Sequence, residues 1–365
     1  VSRYAAGFAP DYAASREGFL ALCRERGARV RSFHHPRTGP GGEPLAVDVA
    51  RFGPAPARRM FIVSSGTHGI EGFCGAGVQH ALLSAGLQRE LPPETGVAFV
   101  HGVNPFGFAW RRRTDEDNVD LNRNFLDHGA GAYPDDSIYN EVHALLLPGD
   151  WDGPGRRTAE EGLRRYVAER GARALQAAAC RGQYSHADGL FYGGRRAAWA
   201  ADTWRTILRE LAGASRCVAV LDLHSGLGAR GASELISGAR LNTREHELAR
   251  LFFGDELVFP GLNSTAPPAF GYMGESLAQT LPHVPGALVV AEYGTVPFED
   301  ILEILRADNF VHARDRPGSR LWREVKDGMR AAFVGDDAAW QEMVVERGVA
   351  IWRRCLDGLA AFPPD

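Results

Sequence analysis

Three short stretches carry the residue types needed to hold a metal ion and hydrolyse an amide: Thr67-His68-Gly69-Ile70-Glu71, Asp120-Leu121-Asn122-Arg123-Asn124-Phe125 and Asp222-Leu223-His224-Ser225. A catalytic zinc takes three protein ligands from His and carboxylate and leaves one position to water. His68, Glu71 and His224 supply that set, so the sequence predicts a single Zn²⁺ per chain and hydrolytic chemistry. Each piece alone is weak. An H-x-x-E is common, and its ordinary reading is a polar helix start with Glu71 favourably placed near the positive end of the helix dipole. A lone His at a strand end is more often a satisfied surface or core group. Their occurrence together is what points to a metal.

Other residues fit around this set. Glu292 closes the apolar run 286–291 and is the candidate base that activates water; otherwise it would cap the helix expected near Pro297. Metal-bound imidazoles need an acceptor for their outer N–H, and Asp120 and Asp222 are the candidates. Arg111, Arg112, Arg113 and Arg123 form a cationic set around Asn122. Guanidinium forks suit bidentate carboxylate binding and a developing oxyanion, although an arginine run is usually a solvated face. Asp222 and His186 are also candidates to approach a second metal, but no bridging carboxylate is evident.

The elements that must position these groups are read from periodicity. Apolar, β-rich runs at 45–49, 60–64, 97–103, 218–223 and 287–291 alternate with helical patterns at 75–84, 159–179, 197–211, 243–253, 297–306, 320–333 and 338–359. Short buried strands between helices imply an α/β sheet, and His68 and His224 each follow such a strand. Pro/Gly-rich turns at 36–44 and 52–57 are expected to be hairpin connections. No linker composition marks a boundary. The expectation is one domain over 1–365, with a largely helical insertion at about 126–216.

Composition excludes little but points one way. A net charge of −4 without a basic stretch argues against nucleic acid or anionic membrane, leaving a small molecule as the expected partner. Five scattered cysteines with no C-x-x-C spacing suggest neither a disulfide framework nor a thiolate metal site. No run approaches the ~20 apolar residues of a membrane span, and residues 1–11 lack a leader pattern, so a cytoplasmic protein is expected.

Taken together, H-x-x-E, D-x-N-R-N-F and the strand-end His, with Asn104-Pro105 ahead of the arginine run, resemble the zinc metallocarboxypeptidases of the carboxypeptidase A type, over residues 60–295. The resemblance implies a three-layer α/β/α fold with a mixed, mostly parallel eight-stranded sheet. It implies zinc on His68, Glu71 and His224, Glu292 as the base that passes a proton to the leaving amine, and Asp120 orienting His68. It also implies Asn122 and Arg123 holding a substrate carboxylate, Arg113 as the oxyanion residue with Arg112 close behind, and Tyr272 as the mobile tyrosine. Succinylglutamate desuccinylase and aspartoacylase share H-x-x-E and D-L-N-R, so the bond cleaved is expected in a small peptide or, as the alternative, in an N-acyl amino acid. A catalytically silent metal-binding protein is the third reading, against which the intact Glu292 stands.

Overall fold

The computed structural model describes residues 2–363. Eight strands, β1 (Arg29–Thr38), β2 (Pro44–Phe52), β3 (Arg59–Ser65), β4 (Thr95–His101), β5 (Cys217–Gly226), β6 (Ser233–Ser237), β7 (Leu257–Val258) and β8 (Gly286–Gly294), form one sheet in the order β1-β2-β4-β3-β5-β8-β6-β7. The sheet is mixed: four of its seven pairings are parallel, which makes the parallel share a bare majority.

The helices are α1 (Tyr12–Glu25), α2 (Gly72–Ser84), α3 (Pro105–Ala109), α4 (Ser137–Leu146), α5 (Pro154–Arg170), α6 (Ala172–Cys180) and α7 (Trp199–Ala212), followed by α8 (Arg244–Phe253), α9 (Glu275–Thr280), α10 (Phe298–Arg314), α11 (Arg320–Phe333) and α12 (Ala338–Ala361). Strand periodicity sorts them into two layers, since alternate side chains of a strand face opposite ways. On β3, Phe61 and Val63 join a core with Phe73 of α2 and Trp352 of α12, while Met60 and Ile62 join a second core with Trp204 and Ile207 of α7. The three-layer α/β/α expectation is met. The final two helices, α11 and α12, both contribute to the first core, through Met329 and Phe333 and through Trp352.

Two local readings need correction. The turn after β2 is not a hairpin, because β2 and β3 do not pair; both flank β4. The helix expected over 159–179 is two helices, broken at Gly171, whose φ of +90° only glycine adopts without strain. Among the described residues no helix is long and apolar enough to cross a membrane.

Candidate functional site

The strand order places the chemistry at one edge. β3, β5 and β8 are adjacent and parallel, so their carboxyl ends deliver His68, His224 and Glu292 to the same side of the sheet. His224 and Glu292 are register partners on β5 and β8. After β3 a single 3₁₀ turn, Gly69–Glu71, leads into α2. That turn is laced to the arginine run: Gly69 N–H donates to the Arg113 carbonyl at 3.2 Å and Ile70 N–H to the Arg112 carbonyl at 2.8 Å. Gly69 is sterically required, since a Cβ there would lie 2.0 Å from the Gly107 carbonyl carbon, on backbone that cannot yield.

The two imidazoles and Glu71 meet tip to tip. His68 Nδ1 is 2.9 Å from Glu71 Oε1, His224 Nδ1 is 2.9 Å from Glu71 Oε2, and the two Nδ1 atoms are 3.1 Å apart. All three side chains are buried. The outer nitrogens face carboxylates: His224 Nε2 lies 2.6 Å from Asp222 Oδ2, and His68 Nε2 lies 3.3 Å from Asp120 Oδ1. The latter contact has ion-pair distance but not hydrogen-bond alignment, which leaves His68 Nε2 without a hydrogen-bond partner. Asp222 is itself fixed by the Ser64 and Thr67 hydroxyls, which donate to its Oδ1 at 2.7 and 3.0 Å.

The electrostatics follow from this crowding. Burial alone would raise the Glu71 carboxyl, but the facing His68 and His224 outweigh it and hold it below the ordinary carboxylate range. Burial alone would lower His224, yet Asp222 and Glu71 carry it well above the usual imidazole value. Asp120 is held well below its usual value against the cost of burial, chiefly by Arg113, His68 and Arg123. Glu292 goes the other way: burial, then the Glu71 charge, push it up to about 8.

These donors fit a divalent cation. Ligands on a tetrahedral zinc at ~2.1 Å stand ~3.4 Å apart, within about half an ångström of the separations already present here. A cation competes with the proton that His224 otherwise keeps between itself and Glu71. Nδ1 inward with a carboxylate behind Nε2 is the tautomer-fixing arrangement of metal-bound histidine.

The remaining expected residues divide. Arg113 joins the site: its Nε donates to Asp120 at 2.9 Å, its Nη1 to Glu71 at 3.3 Å, and its guanidinium lies over Phe191. Asn122 and Arg123 also line the cavity. Asn122 Oδ1 accepts from Met273 N–H, and Arg123 gives Nε and Nη2 to the Cys180 carbonyl and Nη1 to the Asn122 carbonyl. Tyr272 lines the cavity with its hydroxyl donated to the Gly238 carbonyl. Arg112 is not among the residues that line this cavity. It is buried and turned away, its Nε donating to Asp308 at 3.0 Å and its Nη2 to Asn118, because α10 places a carboxylate behind the loop. His186 is also elsewhere, stacked on His143.

The cavity above the site is about 480 Å³. Residues that sequence reasoning missed shape it. Phe191 underlies both Arg113 and Arg123, and nothing in its local sequence signals this. Leu288 and Val290 precede Glu292 on the same face of β8, a period-2 pattern that was available in the sequence.

Residues 8–347 match the profile of a family described as "Protein of unknown function (DUF2817)". No curated protein matches the chain. Similar solved structures include succinylglutamate desuccinylase from Chromobacterium violaceum, at 13% identity and a TM-score of 0.38, covering 87% of this chain and 73% of that one. Thrombin activatable fibrinolysis inhibitor aligns at 12% identity and a TM-score of 0.46, covering 88% and 73%. A metallo-carboxypeptidase from Burkholderia cenocepacia aligns at 12% identity and a TM-score of 0.37, covering 92% and 69%.

Proposed function

We propose that this chain, which belongs to the DUF2817 family of proteins of unknown function, is a zinc-dependent hydrolase that cleaves an amide bond in a small peptide or peptide-like substrate bearing a free carboxylate. The observation that carries the reading is the convergence of His68 Nδ1, Glu71 and His224 Nδ1 beneath a cavity that Glu292 and Arg113 also line. The whole chain is read as one hydrolase domain, to whose cavity the helical segment at about 126–216 contributes Gln176, Cys180 and Phe191.

A divalent cation held by His68, Glu71 and His224 would supply Lewis-acid polarisation of the scissile carbonyl and make water acidic enough to attack near neutral pH. Glu292 is the base. Its Oε1 accepts the Leu227 N–H at 2.9 Å, which fixes the carboxylate and leaves Oε2 to receive a proton. As the water oxygen bonds to the carbonyl carbon, Glu292 takes the water proton; as the C–N bond breaks, it returns that proton to the leaving nitrogen. Arg113, kept cationic by Asp120 and Glu71, is placed to steady the negative charge that develops on the carbonyl oxygen. Arg123 has given three of its five N–H groups to protein carbonyls, so two remain for a substrate carboxylate together with the Asn122 amide.

The test is Glu292→Gln. One zinc per chain is expected to remain while turnover of a peptide panel falls by about 10³-fold or more. Unchanged activity refutes the base, and a wild-type chain that binds no zinc refutes the reading itself. The cavity also admits an apolar acyl group, so N-acyl amino acids belong in the same panel, and preference for them over peptides would favour a deacylase.

A further inference from the structure

We propose that Arg240 sets the specificity of this cavity by selecting substrates with an aliphatic stem that ends in a carboxylate. The proposal rests on the amide-hydrolase reading and names its substrate class. Three arginines line the cavity. Arg113 is paired with Asp120 and Glu71, and Arg123 gives three of its five N–H groups to backbone carbonyls, its other two being left to the substrate's main-chain carboxylate. Arg240 also lines the cavity, yet among the described residues its guanidinium has neither a hydrogen bond nor a carboxylate within ion-pair distance.

Its backbone, by contrast, is fixed. The Thr243 hydroxyl donates to the Arg240 carbonyl at 2.7 Å, the Tyr272 hydroxyl to the Gly238 carbonyl at 3.0 Å, and Ala239 N–H to the Ser237 hydroxyl at 3.3 Å. An exposed cation on a held segment keeps all five donors for a ligand without the ordering cost of a mobile loop.

Position then gives the ligand its shape. β6 runs antiparallel to β8, with Ile236 opposite Val290 and Ser237 opposite Val289. The segment continuing through Gly238 to Arg240 therefore travels away from the level of Glu292. Leu288, Val290 and Glu292 share one face of β8 and all line the cavity, so four residues at ~3.3 Å each put ~13 Å between the reacting end and the far end. Between them the walls are Ile236, Leu288 and Val290, which favour methylene groups. A glutamate-like side chain and the arginine reaching toward it together span that gap.

The experiment is calorimetric binding to the full chain carrying Glu292→Gln, so that no turnover occurs. Ligands are N-acetyl-leucyl-glutamate, N-acetyl-leucyl-glutamine and N-acetyl-leucyl-lysine, with the 2-aminoadipate homologue and its amide as a longer pair. The acid member is expected to bind about tenfold or more tightly than its amide. Adding Arg240→Gln should bring the ratio below about twofold, Arg240→Lys should keep part of it, and Arg240→Glu should favour the lysine ligand. Equal affinity for acid and amide, a preference that survives Arg240→Gln, or no binding of either member overturns the proposal. Failure of the hydrolase reading looks different: charge-selective binding that depends on Arg240, with no hydrolysis of any member by the wild-type chain.

Discussion

His68 Nδ1 and His224 Nδ1 face each other across 3.1 Å, their rings nearly perpendicular, with one oxygen of Glu71 2.9 Å from each. Two neutral imidazole nitrogens at that distance satisfy each other only if one carries a proton, and both then compete for the same carboxylate. A cation resolves the conflict because all three become ligands at once. Zinc is therefore expected to bind with one equivalent per chain. At a hundredfold excess over Kd it should add about 2.7 kcal/mol, or roughly 3–4 °C in melting temperature for a chain of this size. Calorimetry with and without a chelator reads this directly, and His224→Gln should abolish the difference. Identical melting in both conditions would count against the site.

The outer carboxylates make a graded prediction. Asp222 holds His224 Nε2 at 2.6 Å, whereas Asp120 stands 3.3 Å from His68 Nε2 without hydrogen-bond alignment and is shared with Arg113. Asp222→Asn should weaken zinc by about 10–100-fold, as loss of such a partner commonly does. Asp120→Asn should cost less affinity but more turnover, because it also frees Arg113. Chelator competition and steady-state kinetics on the same two variants separate these effects, and the reverse ranking would be evidence against the assigned roles.

How much of this was legible beforehand depended on burial. The central strands β2, β3, β4, β5 and β8 were all read from their apolar runs, to within a few residues at each end. β1 was not, because it is an exposed edge whose sequence, Arg29-Val30-Arg31-Ser32-Phe33-His34-His35-Pro36-Arg37-Thr38, carries charge at many positions and no apolar run. β6 and β7 were missed because five and two residues are too short for a periodic signal. The residues brought together at the site were legible because each had a strand or motif to announce it. Arg112 was misplaced because three consecutive arginines look alike in sequence. Only the fold shows that Asp308 of α10 stands behind one of them and Asp120 beside another.

That buried cluster carries its own asymmetry. Asp308 accepts from both Arg112 and Lys326, all three nearly inaccessible, and burial pushes Lys326 down to about 8. Asp308→Asn leaves two buried cations without an anion and should cost about 3–5 kcal/mol. Lys326→Met leaves the Arg112–Asp308 pair intact and should cost less than about 1.5 kcal/mol, since its charge is already paying for desolvation. Because the Arg112 carbonyl holds the turn between His68 and Glu71, Asp308→Asn should also weaken zinc binding while Lys326→Met should not. Urea unfolding of the two variants decides the first part, and equal losses would show that Asp308 is not the common anchor.

The pH dependence of stability should have a limb set by His101. This residue is fully buried, stacked on Phe19 at 4.6 Å, and bonded to the Gln79 side-chain oxygen at 3.2 Å and the Ser15 hydroxyl at 3.4 Å. Burial depresses its pKa to about 4, with nearby Asp48 and Arg16 acting in opposite directions. The unfolded chain takes up the proton near pH 6.5, while the folded chain refuses it until about pH 4. Stability is therefore full above pH 6.5, falls as the pH drops, and has lost about 2.5 kcal/mol from this group by pH 4.5. His312, likewise depressed by burial, to about 3, adds a parallel loss that a change at His101 leaves in place. In His101→Asn the difference in unfolding free energy between pH 7.5 and pH 4.5 should shrink by about that 2.5 kcal/mol, even though the variant is less stable than the wild type at pH 7.5. Wild-type and variant curves that run parallel between those two pH values would place the acid sensitivity in another group.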